Sequence, residues 1–143
     1  MTPRILLVED DPVTRAFLTA AAEALPARVD AVDCLAAARE RIRTQHYDLW
    51  LVDANLPDGQ GATLLEAPQR QGTAALAHTA ACDQATLARL REAGFGDVLV
   101  KPLTAAALQA AIRDATASNE TSSFDVATPA NDQTGTLPLW DDA

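Results

Sequence analysis

Short, nearly continuous apolar runs alternate along most of the chain with stretches in which apolar residues recur every three or four positions. Residues 4–9 (RILLVE) form the first run. Asp11-Pro12 follows, an N-cap residue and a proline suited to the first helical position. Val13, Ala16, Phe17, Ala20, Ala21, Ala24 and Leu25 then make one apolar helix face that ends at Pro26. The pattern predicts a second strand over 28–32 and a helix over 35–44 with Leu35, Ala38 and Ile42 on one side. The third strand, 48–53 (DLWLVD), is almost wholly apolar between its two acids. Pro68 and Gly72 interrupt the next helical stretch, which is confined to about 62–67. Residues 74–79 form a fourth strand, on grounds of topology rather than alanine's weak strand preference. A helix over 83–93 is closed by Gly94, a fifth strand covers 97–100, and Thr104 caps a last helix to about Thr116.

Strands apolar on both faces, alternating with amphipathic helices, imply a parallel sheet covered on two sides. Five such β-α units predict a doubly wound five-stranded α/β fold of flavodoxin-like order 2-1-3-4-5, whose ligands lie beyond the carboxyl ends of the strands. That rule gathers Glu9, Asp10, Asp53, Thr79 and Lys101 onto one rim. From Ala117 the composition turns to Ser, Thr, Asn, Asp and Pro, which reads as a linker. The folded domain is therefore set at residues 1–117 and a flexible acidic tail at 118–143.

Charge and composition narrow the function. At 48% hydrophobic and 22% charged the chain is an ordinary globular protein. No apolar run is long enough to span a bilayer, so the expected compartment is the cytoplasm. A net charge of -9 argues against nucleic acid as a partner. Five acids and no base follow Ser118, so the tail carries over half of that excess. Ten of the 11 bases are arginine; the one lysine, Lys101, offers a compact ammonium that a guanidinium fork replaces poorly. Cys34 and Cys82 have no metal-ligand spacing and read as small buried or half-buried residues. His46 and His78 lack partners at catalytic spacing and read as structural or solvent-facing, and Phe17, Trp50 and Phe95 as packing residues.

Three carboxylates drawn together would repel by roughly 4 kcal/mol per pair at about 4 Å and an effective dielectric near 20. A hard cation such as Mg2+ resolves this, being suited to oxygen ligands and phosphate. Asp53 can then attack phosphorus to give an acyl phosphate, with Lys101, the Thr79 hydroxyl and the Ala80 backbone N–H receiving the phosphoryl oxygens.

The motifs ILLVEDD, LVDANLPDGQG, HTA and VKP, in this order at successive strand ends, make residues 4 to about 116 resemble the response regulator receiver family. The resemblance implies a phosphoacceptor at Asp53 that takes its group from a phosphohistidine on a histidine kinase or histidine phosphotransfer protein. It implies Mg2+ bound directly by Asp10 and Asp53, through water by Glu9, and by the Asn55 backbone carbonyl. It also implies a cis Lys101-Pro102 peptide, a monomer or weak dimer, and self-phosphorylation with slow self-dephosphorylation rather than enzymatic turnover. Two departures stand out. Val98 occupies a position, three before the lysine, where receivers often carry an aromatic switch residue, and Pro68 shortens the third helix. Val98 motivates the alternative of a receiver-like interaction module whose output is independent of phosphate. A phosphatase with an aspartate nucleophile would usually have a second acid where Asn55 stands. A flavodoxin-like cofactor binder would set its phosphate against Glu9-Asp10-Asp11. Residues 137–143 (LPLWDDA) resemble the opening of histidine phosphotransfer domains, which would place this domain at the front of a relay protein.

Overall fold

The computed structural model describes residues 2–70 and 72–124. Five parallel strands form the central sheet: β1 (Arg4–Val8), β2 (Arg28–Val32), β3 (Leu49–Asp53), β4 (Ala74–Thr79) and β5 (Asp97–Val100). They lie side by side in the order β2-β1-β3-β4-β5. The expected doubly wound order is thus the observed one, with every strand where the apolar runs put it.

The pleat divides the core in two. Leu6, Val8, Trp50, Val52, Ala75 and Ala77 point to one side, where α2 (Leu35–Thr44) contributes Leu35, Ala38 and Ile42 and α3 (Gln84–Ala93) contributes Leu90. Ile5, Leu7, Leu49, Leu51 and Leu76 point to the other, against Leu18, Ala21 and Ala22 of α1 (Pro12–Glu23) and Leu108 and Ile112 of α4 (Ala105–Phe124). All five residues of β3 are buried. Each buried Leu or Val contributes about 1.5–3 kcal/mol, so the central strand anchors the register of the rim.

Carboxylates fix where α1, α2 and α3 begin, and the Thr104 hydroxyl, accepting the Ala107 N–H at 3.0 Å, fixes the start of α4 as expected. Asp11 accepts from the Thr14 N–H ahead of α1, with Pro12 opening the helix, and Asp83 accepts from the Thr86 N–H ahead of α3. The residue preceding α2, Cys34, makes no such side-chain bond. Asp58, from the loop after β3, instead receives the Leu35 and Ala36 N–H groups at 2.9 and 3.0 Å. Gly94 closes α3 in the left-handed region at φ +119°.

Several expectations change. The apolar face assigned to α1 is only partly buried: Ala21 faces the core, but Val13 is 77% exposed and Phe17 44%, so Phe17 is not a core packing residue. The buried stripe runs through Leu18, Ala21 and Ala22 because alanines populate both sides and let two stripes fit one sequence. The third helix is two 3-10 segments, Gly61–Glu66 and Pro68–Arg70, since Pro68 has no N–H to continue an α-helical ladder. They follow a small antiparallel ribbon, Asn55–Leu56 with Gly59–Gln60, that the apolar pattern does not reveal. α4 runs to Phe124, past the predicted end near Thr116. Residues 125–143, including LPLWDDA, lie outside the described residues. Cys34 is half-buried but Cys82 is exposed. No helix among the described residues is long and apolar enough to cross a membrane.

Candidate functional site

The sheet's register builds the rim. Val8 is level with Val52, and one step further Asp53 is level with His78, which is level with Leu99. Backbone bonds carry the ladder past the strand ends: Glu9 N–H to Val32 O, Ala54 N–H to His78 O, and Lys101 N–H to Thr79 O. Strand side chains alternate, so Asp53, His78 and Leu99 share one face. Glu9, one residue beyond Val8, and Lys101, two beyond Leu99, converge on it. Thr79 belongs to the opposite phase.

Glu9, Asp10 and Asp53 each place a carboxylate oxygen within 4.8 Å of the others. Glu9 and Asp53 are buried and Asp10 is exposed, so the cluster opens to solvent through Asp10. Lys101 Nζ reaches into it, 3.1 Å from Asp53 Oδ2 and 3.2 Å from Glu9 Oε1. Asp53 Oδ1 accepts from the Asn55 N–H at 3.0 Å, which fixes the plane of the carboxylate. Burial pushes the Asp53 carboxyl above its ordinary value, with the Glu9 charge adding to it, against the opposing pull of the Asn55 amide and Lys101. For Glu9, burial also acts upward but is overcome by bonds from His78, the Asp11 amide and Lys101, which hold its carboxyl down at about 2. Burial disfavours the Lys101 ammonium, yet its bonds and attraction to Asp53 and Glu9 win and raise its value. Its peptide bond to Pro102 is cis.

Thr79, 1% exposed, accepts the Ala81 N–H on Oγ1 at 3.1 Å, which shapes the bend that follows β4 and leaves its own hydroxyl proton available to donate. Ala80 sits exposed at that bend. On the other side of Asp53 the chain closes through Gly61, whose N–H donates to Ala54 O at 2.9 Å. A Cβ at Gly61 would lie 2.2 Å from Asp53 O and 2.8 Å from Val52 Cγ1, so only glycine permits this approach.

Every residue expected at the rim is found at or beside it, but the reading from the chain missed one. His78 is 2% exposed with Nδ1 3.2 Å from Glu9 Oε1. Its position directly before Thr79, at the end of a strand adjacent to the one that ends in Asp53, was the available signal. His46 lies elsewhere, beside Ile42, Tyr47 and Trp50 in a depression away from the rim.

The residues fit a divalent cation. The grouped donors are all carboxylate oxygens, and the ammonium of Lys101 reaches only two of the three carboxylates, Glu9 and Asp53. Asp10, on the solvent side, leaves an entry path.

An acidic rim at the carboxyl ends of a 2-1-3-4-5 sheet lies where folds of this class bind their ligands. The chain belongs to the response regulator receiver domain family, whose model matches residues 5–113, and its function is that of a receiver in two-component signalling. It is 32% identical over 112 residues to the sensor histidine kinase GacS of Pseudomonas protegens, covering 71% of this chain and 12% of that one. It is 33% identical over 111 residues to the transcriptional activator protein IrlR of Burkholderia pseudomallei, covering 77% and 48%. The chain therefore spans less than half the length of these curated relatives. Among solved structures, the receiver domain of sensor histidine kinase PA1611 from Pseudomonas aeruginosa PAO1 was determined with a magnesium ion coordinated in its active-site cleft. It matches with TM-score 0.74 and 29% identity over 82% of this chain and 99% of that one. A CheY-like receiver from Methanospirillum hungatei JF-1 matches with TM-score 0.79 and 23% identity over 85% and 99%.

Proposed function

We propose that Asp53 is the phosphoacceptor and that Glu9, Asp10 and Asp53 with the Asn55 backbone carbonyl hold Mg2+, Asp10 and Asp53 directly and Glu9 through water. The observation that carries this reading is Lys101 Nζ placed between Asp53 Oδ2 and Glu9 Oε1 at 3.1 and 3.2 Å. An ammonium so placed can follow charge from the carboxylate onto the incoming phosphoryl oxygens without reorganising. When bound, Mg2+ offsets the negative charge of acceptor and phosphoryl group.

In the transfer, an Asp53 carboxylate oxygen forms a bond to phosphorus while the P–N bond of a phosphohistidine breaks. The electron pair returns to the donor imidazole, which takes a proton from solvent. Asp53's buried, raised carboxyl is held in one plane by the Asn55 amide, Lys101 neutralises one oxygen, and the Thr79 hydroxyl and Ala80 N–H accommodate the others. The donor is a histidine kinase or histidine phosphotransfer protein, and we place the domain in the cytoplasm as a monomer or weak dimer without nucleic-acid contacts. Two similar proteins, GacS and PA1611, are themselves named sensor histidine kinases, in keeping with a place in a relay.

A second reading concerns output. Val98 is 8% exposed and packed in the core beside α3 rather than poised as a mobile aromatic. A partner that binds equally before and after phosphorylation would favour output independent of phosphate.

The acceptor assignment is tested by intact-mass analysis with Mg2+ and acetyl phosphate. One phosphoryl adduct is expected on the parent and none on Asp53→Asn or after chelation. A parent without an adduct, or an Asp53→Asn variant that keeps it, overturns the assignment.

A further inference from the structure

His78 is a buried polar side chain in a strand whose other buried members are Ala75, Leu76, Ala77 and Thr79. An imidazole is costly to bury unless its nitrogens find partners, and here Nδ1 lies 3.2 Å from Glu9 Oε1. The same oxygen takes Lys101 Nζ at 3.2 Å, while Glu9 Oε2 accepts the Asp11 N–H at 3.1 Å. Glu9, fully buried, is thus gripped from three directions. As a carboxylate it can only accept, so Nδ1 is the ring nitrogen that carries the proton.

We propose that His78 is a positioning residue of the acceptor site: its Nδ1–H fixes the Glu9 carboxylate, so that Lys101 is shared between Glu9 and Asp53 instead of being drawn wholly to Glu9. The inference rests on the metal-dependent phosphoacceptor reading above. Without the imidazole donor, Glu9 Oε1 keeps Lys101 as its remaining side-chain partner. The ammonium is then pulled away from Asp53 Oδ2, and Glu9 is no longer presented to the cation in one orientation. Groups that orient a metal's carboxylates through a hydrogen bond typically change affinity by about 10- to 100-fold when removed.

Two variants separate positioning from packing. His78→Leu fills the space with an apolar side chain. His78→Asn restores a donor, because the Asn amide nitrogen stands the same number of bonds from Cα as Nδ1 does. Mg2+ affinity is read by titration calorimetry without phosphodonor, alongside the initial rate of adduct formation at saturating Mg2+. The expected result is roughly a tenfold loss of Mg2+ affinity in His78→Leu, a slower adduct rate, and recovery of both in His78→Asn. His78→Leu binding Mg2+ as the parent does, or a loss that His78→Asn does not relieve, overturns the proposal. The nitrogen shifts of 15N-labelled histidine in the metal-free parent give a check needing no variant: a protonated Nδ1 is expected, and a bare Nδ1 overturns it. Failure of the underlying reading looks different, since the parent itself would then bind no Mg2+ and gain no phosphoryl group.

Discussion

The position that a Cβ would take on Gly61 lies 2.2 Å from the carbonyl oxygen of Asp53. The chain that leaves Asp53 thus folds back onto that residue's own backbone, and the 3-10 segment starting at Gly61 is pinned there. Gly61→Ala must push the two apart. Overpacking of this kind costs about 1–3 kcal/mol, and here the displaced atoms belong to Asp53. Urea unfolding should show that loss, and adduct formation should slow in the fraction that remains folded. Normal stability with a normal rate would mean that the loop relaxes freely.

Four carboxylates held below their ordinary value contribute to the response to acid, Glu9 at the rim and three at helix starts. Bonds from the Thr14 side chain and amide, the Leu35 and Ala36 amides, and the Thr86 amide and side chain hold Asp11, Asp58 and Asp83 respectively below their ordinary value. A depressed folded value means that their contribution is complete above the unfolded value of 3.8 and is lost as pH falls through the lowered one. Melting temperatures measured downward from pH 5 should therefore decline, and Asp58→Asn, which keeps an acceptor oxygen without the charge, should flatten that decline. An unchanged acid limb in the variant would remove Asp58 from the explanation.

Asp53 has the opposite sign. Burial, with Glu9's charge, raises its carboxyl, so its ionised form weakens the fold at neutral pH and the cost fades as pH falls into the carboxylate range. Asp53→Asn should accordingly melt higher than the parent in metal-free buffer, by on the order of 1 kcal/mol, while losing the ability to take phosphate. Equal melting at pH 7 would show that Lys101 already offsets the whole cost.

Lys101 bridges two carboxylates 3.1 and 3.2 Å away as a compact charge. A guanidinium is planar and wider, and cannot take that position without displacing one of them. Lys101→Arg should slow adduct formation by about 100-fold while Mg2+ still binds. A time course by mass spectrometry reads the rate, and a rate within a few-fold of the parent would show that net charge alone suffices.

The rim was largely legible in the chain because a parallel strand buried on both faces must be an apolar run, and the acids that interrupt such runs mark its ends. Glu9 and Asp53 were found this way, and Thr79 and Lys101 as the polar residues at the ends of the fourth and fifth runs. The exposure of Val13 and Phe17 on α1 was not legible: Ala16, Ala20, Ala21, Ala22 and Ala24 satisfy two helical stripes, and only packing against β1, β2 and α4 selects Leu18, Ala21 and Ala22. His78 was missed because its partner is Glu9, on a strand two places away in the sheet, and a relation across β1, β3 and β4 has no local spacing to betray it. The Asp58 cap was hidden likewise, since Asp58 serves a helix that precedes it in sequence.

Lys101 follows the last strand and Glu9 the first, with Asp53 between them. No contiguous part of the chain short of nearly the whole sheet holds all three. Contacts between such distant segments form only after slow loop closure, so competence to take a phosphoryl group is gained late and lost with the first strand to detach. Adduct formation is thereby a kinetic probe of native cooperativity: during refolding, labelling of Asp53 should lag behind the recovery of helix signal.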